Sequence, residues 1–538
     1  MIYAFQSFPA NPTIELIDKC KSMSELRPVH ARMIKTNLLN HTFAASRLIA
    51  AYAQSGGVSG ALTVLRGVED VNAFMYFTVI KGFSESWEPF QSLVLYAEMV
   101  SRLEDCGAFK FSIPSVLAAC GRVLEDGVGR QVHGQVVKGS LQCDMFVMNG
   151  LIRMYCEVGQ IGVARMLFDK MLSRDLISWN SMIVGCLRVG EVALARALFD
   201  DMPLRDLVSC NAMIDGYGKC GDCKSAEQIF NTMEAKDVVT WTSMISAYAL
   251  CGQSRKAVDL FKEMLILGIR PDAPAIVSVL AAIGDVESVE EGKWMHAFLL
   301  GNGFCLSDGF IGSALIDMYA KCGLVEEAYD VFRNVSFKRN VGDWNSMISA
   351  LAIHGLGQEA VRMFQEMEGM ELAPDKITFL ALLTACSHGG LIEEAQFYFE
   401  YMVEKHKISP VIQHYGCMID LYCRAGLFEN ANRMIDSMPM KTDDLAWKAV
   451  LSASLRYGKT EIGENAAHQV ARLVPEDSGN YVLLSNLYAK AGRWEEVAKL
   501  RSSMKLKGVK KVPGCSSVVI DGALHEFTVG KEAKRDSG

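Results

Sequence analysis

Apolar positions along this chain recur with a helical beat that is interrupted at regular intervals, and the interruptions themselves recur. In the stretch opening at Leu176, Trp179, Met182, Ile183 and Cys186 fall on one face of a helix, and Gly190 ends it where a left-handed residue is tolerated. A second amphipathic run follows, with Ala195, Leu198, Phe199 and Met202 on one face and Pro203 to stop it. The pattern predicts two antiparallel helices per unit, an αα-hairpin.

The same hairpin is written repeatedly. SWNSMIVGCLRVG (178–190), SCNAMIDGYGKCG (209–221), TWTSMISAYALCG (240–252), GSALIDMYAKCG (312–323) and DWNSMISALAIHG (343–355) each precede a second phrase such as ARALFDDMP or AVDLFKEM. Met182, Met213 and Met244 stand 31 residues apart, and Met347 to Met418 spans 71, two units of 35 to 36. Small residues recur at one site of the second helix (Ala195, Ala226, Ala257, Ala328, Ala360), where close helix approach is expected. No single hairpin buries its own apolar face, so the units must stack. The predicted fold class is all-α, a solenoid of helix-turn-helix hairpins with a continuous concave surface.

Composition narrows the function classes. The chain of 538 residues has no apolar run long enough to span a bilayer, so no membrane partner is expected. Its 16 cysteines are scattered, mostly at repeat positions such as Cys186, Cys220, Cys322 and Cys423, and read as small buried hydrophobes in a reducing compartment. No phosphate loop or nucleophile elbow occurs. None of the ten histidines is followed by x-Glu, and the one Cys-x-x-Cys, Cys220 to Cys223, falls at an inter-helix turn. The chain is expected to be no enzyme and to carry no cofactor or metal.

These repeats resemble the pentatricopeptide repeat (PPR) family, specifically the plant PLS subclass, in which units of 31, 35 and 35–36 residues alternate. The 31-residue units 145–175, 176–206 and 207–237 end in Asp. The 35-residue units 238–272 and 341–375 end GIRPD and ELAPD, and EEGKWMHAFLLGNGF within 273–308 is the phrase of the middle-length repeat. From Asp444 the sequence is similar to the two E extension motifs that follow the last repeat in organellar RNA-editing factors. The resulting organisation is a leader and partial first repeat (1–41), the repeat array (42–443), two E motifs (444–511) and a truncated start of the E+ region (512–538).

The resemblance implies a right-handed superhelical solenoid that binds single-stranded RNA, one nucleotide per repeat. In the family the fifth and last residues of a unit read the Watson–Crick edge: Asn with Asp suits a pyrimidine, Thr or Ser with Asp guanine, and Thr or Ser with Asn adenine. Amide, hydroxyl and carboxylate groups supply the matching donors and acceptors. Carried over residue by residue, Ser46 with Asn72 implies adenine. Asn149 with Asp175, Asn180 with Asp206, and Asn211 with Asp237 imply three pyrimidines. Thr242 with Asp272 implies guanine, Ser313 with Asn340 adenine, and Asn345 with Asp375 a pyrimidine. Second-position residues Phe146, Ile177, Val208, Val239 and Phe310 are expected to wedge between bases.

Several units depart from this pattern. Phe77 and Phe109 hold both reading positions of one, and Pro114, Val277 and Leu380 hold the fifth position of the middle-length units. The implied target is 5′-A-N-N-Y-Y-Y-G-N-A-Y-3′. Asn and Asp at these places are also ordinary helix caps, which is the competing reading of each position taken singly.

A net charge of −8 runs against the basic character common among nucleic-acid binders. Lys219, Lys321 and Arg424 recur just before the inter-helix glycine, while Glu326, Glu327, Glu393 and Glu394 open second helices, so positive charge is expected on the concave side. The resemblance implies an adaptor for cytidine-to-uridine editing that recruits a separate DYW-type zinc deaminase, with the target cytidine about four nucleotides past the base aligned with the last repeat. Other expectations stay open: a factor for organellar RNA stabilisation, splicing or processing, or a protein–protein scaffold. The first fourteen residues lack acids and also lack Arg. The resemblance implies a mitochondrial or plastid protein; the mitochondrion is the expectation, with the chloroplast as the alternative.

Overall fold

The computed structural model describes residues 12–20, 22–103, 109–141, 144–306, 310–334, 340–509, 515–520 and 523–528. Helix pairs form where the apolar periodicity predicts them. The unit opening at Leu176 folds as helices Leu176–Arg188 and Val192–Asp201, and the next as Leu207–Lys219 and Cys223–Thr232. Each first helix starts on a capping residue: the Asp175 carboxylate accepts the Ser178 N–H at 2.8 Å, and Asp206 that of Ser209 at 2.9 Å. Each ends at a glycine with positive φ, 84° at Gly190, after which the Glu191 N–H reaches back to the Cys186 carbonyl at 2.9 Å. That back-bond closes the helix and turns the chain.

Packing explains why the spacing is kept. Met182, Met213, Met244 and Met347 are fully buried, as are Ala195, Ala226, Ala257, Ala328 and Ala360 on the second helices. A methyl at those alanines lets neighbouring helices approach closely, and anything larger would overpack the contact. Aromatic edges join one hairpin to the next. Phe168 meets Trp179, Phe230 meets Trp241 and Phe332 meets Trp344, with ring centroids 4.9–5.3 Å apart and nearly perpendicular planes. Arg174 and Arg205 lie over Phe168 and Phe199 at 4.6 and 4.5 Å.

Where a middle-length unit precedes a short one, the contact is polar. His30, His133 and His296 on second helices hydrogen-bond the hydroxyls of Tyr52, Tyr155 and Tyr319 at 2.9–3.0 Å, and burial lowers the pKa of each histidine. Gln396 makes the equivalent bond to Tyr422 at 2.9 Å.

The chain divides into two units, 1–275 and 276–538. In the first, first helices pack in chain order from Thr42–Gln54 to Val238–Leu250. In the second they do so from Phe310–Lys321 to Ser478–Lys490. The E-like segment forms two further hairpins, Asp444–Tyr457 with Thr460–Leu473 and Ser478–Lys490 with Trp494–Leu506. The apolar side chains of helix Trp494–Leu506 are only partly core: Val497 is buried while Trp494 is 67% exposed. Beyond it, strands Cys515–Ile520 and Ala523–Thr528 pair antiparallel, Cys515 opposite Thr528, an addition to the all-α plan that the hairpin periodicity did not anticipate.

Two cysteine expectations need revision. Cys186 and Cys423 are buried, but Cys220 is exposed and Cys322 half-buried, because both follow the last turn of a first helix. Cys223 is buried, and burial pushes its thiol up to about 12, with Cys251 adding to the shift. Among the described residues, no helix is long and apolar enough to cross a membrane, and no cluster of three or more His, Cys, Asp and Glu is placed to hold a metal ion.

Candidate nucleic-acid interface

A first helix and the cap of the next first helix bring the fifth residue of a unit beside its last. The Asn149 Nδ2 donates to Asp175 at 3.1 Å, Asn180 to Asp206 at 3.1 Å and Asn211 to Asp237 at 3.4 Å. The Thr242 hydroxyl donates to Asp272 at 2.9 Å, and Asn345 to Asp375 at 3.1 Å. The same five carboxylates cap the following helices, accepting from the backbone N–H of Ser178, Ser209, Thr240, Ala275 and Thr378 at 2.8–2.9 Å. Capping and pairing are therefore one arrangement: the cap fixes the carboxylate, and the carboxylate fixes the fifth side chain.

These hydrogen bonds also set charge. Burial alone would raise the pKa of Asp175 and Asp237. Bonds from Ser178 and Asn149 to the first, and from Thr240 and Asn211 to the second, outweigh burial and bring both below the usual carboxylate value. Holding the amide by its nitrogen leaves its oxygen over. The Oδ1 atoms of Asn180, Asn211 and Asn345 are buried without a hydrogen-bond partner among the described residues, an arrangement that calls for an explanation. Asn149 differs, since its Oδ1 lies 2.7 Å from the Ser178 hydroxyl.

Two predicted pairs are built differently. Ser46 is buried and makes no hydrogen bond to Asn72, which caps the next helix through the Met75 N–H at 3.0 Å. Ser313 donates to Asp343 at 2.8 Å, while Asn340 accepts the Asp343 N–H at 3.0 Å. Asp343 is a residue that the two-position pattern does not include. In the middle-length units, Pro114, Val277 and Leu380 stand half-buried at the fifth position, as does Phe77. At Gly416 a side chain would meet nothing within 4 Å. The side chain of Phe109 lies outside the described residues.

Second-position side chains form an exposed apolar series. Phe146 is 77% exposed, Phe310 81%, and Ile177, Val208 and Val239 between 52% and 58%. Sequence reasoning missed Phe43, Phe74, Phe111, Ile377 and Leu445, which are exposed as well. Their signal was available, since each is the second residue of its unit, as Phe146 is; all but Phe111, which lies in the short turn before its helix, open their first helices at the same place. Apolar side chains are thus left in solvent at a fixed repeat position, beside a well-packed core.

The expected positive face is muted. Lys219 pairs with Asp215 at 2.6 Å, Lys321 with Asp285 at 2.6 Å and Arg424 with Asp420 at 2.7 Å.

Comparison with known proteins gives this arrangement a family. A pentatricopeptide repeat-containing protein of Arabidopsis thaliana is 47% identical over 504 residues, spanning 93% of this chain and 92% of that protein. The chain belongs to the pentatricopeptide repeat family. The PPR repeat model matches residues 146–176, 177–207, 208–238, 313–335, 377–406 and 414–441, one residue later than the units read from sequence in the short repeats. A second PPR repeat family model matches 236–280 and 339–388, and the E motif matches 457–519. Alternating unit lengths and the E motif make it a PLS-type member.

Two further Arabidopsis relatives carry a compartment in their names. One chloroplastic protein is 41% identical across 97% of this chain and 88% of its own, and one mitochondrial protein 34% identical across 98% and 88%. Among solved structures, the pentatricopeptide repeat protein PPR10 in complex with an 18-nt psaJ RNA element aligns with 92% of this chain and 91% of that chain, at 16% identity and a TM-score of 0.41.

Proposed function

We propose that this PPR protein binds single-stranded RNA in an organelle, reads it one base per unit, and serves as a non-catalytic adaptor for cytidine-to-uridine editing. One observation carries the reading: five polar pairs at 2.9–3.4 Å recur in the same structural place, next to exposed second-position apolar side chains. An unstacked base slid between two such apolar residues presents its edge to the pair. Its N–H groups supply the donor that Oδ1 of Asn180, Asn211 and Asn345 lacks.

Reading by paired side chains is worth about 1–3 kcal/mol per well-matched base, and stacking about as much with little sequence preference. The preferred RNA is 5′-A-N-N-Y-Y-Y-G-N-A-Y-3′, set by Ser46/Asn72, three Asn/Asp pairs, Thr242/Asp272, Ser313/Asn340 and Asn345/Asp375. Because the cations at the ends of first helices are already ion-paired, few counterions are released and salt dependence is shallow.

The E motif supports an editing role in which a DYW-type deaminase is recruited in trans. Exposed Trp494 and Leu506 on its hairpins give that partner an apolar surface. The named compartments of the relatives support an organelle; the mitochondrion is our assignment, with the chloroplast as the alternative. Fluorescence anisotropy with the purified chain tests binding: the deduced RNA should bind at least tenfold more tightly than a scrambled one of equal composition, and equal affinities would refute base reading. Comparison of organellar cDNA with genomic DNA in a loss-of-function plant tests editing. An unedited cytidine downstream of the motif supports it, whereas altered transcript ends or introns would replace it with a processing role.

A further inference from the structure

The unit that follows Asn340 carries an acid at a position where the units that follow six capping aspartates carry a hydroxyl or a methyl. Three residues past the capping Asp175, Asp206, Asp237, Asp272, Asp375 and Asp443 stand Ser178, Ser209, Thr240, Ala275, Thr378 and Ala446; three past Asn340 stands Asp343. Asp343 is 1% exposed and both of its carboxylate oxygens are engaged. One accepts the Asn340 N–H at 3.2 Å and closes a capping box. The other accepts the Ser313 hydroxyl at 2.8 Å. Acid and amide have thus exchanged places relative to the Asp-ending units: the amide of Asn340 caps the helix, and the carboxylate sits three residues on, underneath the reading serine.

The exchange has a chemical consequence. A hydroxyl has one proton and two lone pairs. With its proton directed to a buried carboxylate, Ser313 faces a base as an acceptor. The Asn340 carbonyl is occupied by the Asp343 N–H, so the Asn340 amide faces a base as a donor. An acceptor beside a donor complements the amino group and ring nitrogen of adenine. It opposes guanine, whose oxygen and ring N–H stand in the reverse order.

Resting on the base-reading function proposed above, we propose that Asp343 is a third specificity determinant. It is a positioning residue that fixes Ser313 as an acceptor and thereby enforces adenine over guanine at the ninth nucleotide.

The test uses the full chain and RNAs of the deduced sequence with A or G at position nine, and separately at position seven, which Thr242 and Asp272 read. The wild type should favour A over G at position nine by about tenfold, the low end of discrimination for a good base pair contact. Asp343→Ser restores a hydroxyl common at this place and frees Ser313 to donate; the ratio should fall to about two- to threefold. Asp343→Asn keeps a carbonyl in reach of Ser313 and should stay within about twofold of wild type. Retained guanine preference at position seven shows that each variant is folded and reading.

An unchanged tenfold ratio in Asp343→Ser, with position seven intact, would reduce Asp343 to a helix cap and overturn the proposal. So would a wild type that discriminates at position seven and not at nine. Loss of discrimination at every position in the wild type would sink base reading itself, and this inference with it.

Discussion

The short units 145–237 and the middle-length units 110–144, 273–308 and 376–411 are built alike and equipped differently. Both fold as hairpins whose first helices bury Leu, Ile, Val or Met against their neighbours. The short units carry Asn149, Asn180 and Asn211, each held by a capping carboxylate. The middle-length units carry Pro114, Val277 and Leu380 at the same place. Even the joints differ, with Phe–Trp edges after Phe168 and Phe230 and half-buried His–Tyr bonds after His133 and His296. The lesson is that hairpin stacking and the proposed base reading fall on separate residues. One can be changed without the other.

The largest expected effect breaks the stack and spares the code. Trp344 is almost wholly buried against Phe332, so Trp344→Ala should destabilise the chain by about 3–5 kcal/mol, read as a lowered denaturation midpoint in urea. Base ranking in the folded fraction should be unaltered, and a changed ranking would show that packing and reading are not separable.

The converse substitution makes a short unit resemble a middle-length one. Asn211→Leu should erase base preference at the sixth nucleotide, a loss of about 1–3 kcal/mol of discrimination measured by anisotropy. The melting curve should hardly move. Phe146→Ala should instead weaken every RNA alike, by about 1–3 kcal/mol, because a stacking residue carries no sequence information. A selective loss would move Phe146 into the code.

A smaller gain tests the comparison from the other side. Val411 caps helix Ile412–Arg424 without a side-chain bond, and Leu380 stands at the fifth position of the same unit. Leu380→Asn with Val411→Asp should install a new pair and create a pyrimidine preference at the eleventh nucleotide. The new cap alone should add about 0.5–1 kcal/mol of stability. Absence of both gains would mean that a middle-length unit is barred from reading by more than its side chains.

Much of the fold was legible because it depends on spacing. Met182, Ala195 and Gly190 sit where a 31-residue period demands, and a solenoid needs little beyond local patterning and neighbour contacts. The candidate site was legible in part, for a related reason: Asp175 and Asn149 are 26 residues apart in sequence and meet because the next hairpin stacks in register.

What escaped was set by contacts that no period encodes. Asp343 sits at a capping position, and only its distance to Ser313 shows that it does more than cap. The terminal strands lie past the last hairpin, where the repeat gives no guidance. Lys219 and Arg424 read as a positive surface until their carboxylate partners one turn earlier are located.

The smallest expected effect concerns pH. Asp175 and Asp237 have folded pKa values below their ordinary ones, so the stability they contribute is present above the unfolded value of about 4 and is lost as pH falls through the lower folded value. RNA affinity and melting temperature should stay level from pH 8 to about 5 with respect to these groups, then decline below about 4. A decline that begins near pH 6.5 and runs below it would point to the His–Tyr joints instead, whose histidines have folded pKa values below the ordinary one.

The central claim is that paired polar side chains on successive first helices recognise successive bases, and Asn211→Thr tests it most directly. Anisotropy titrations with the four bases at the sixth nucleotide should show preference passing from a pyrimidine in the wild type to guanine in the variant, with rankings at the other positions preserved. An identical ranking in the two proteins would contradict the account.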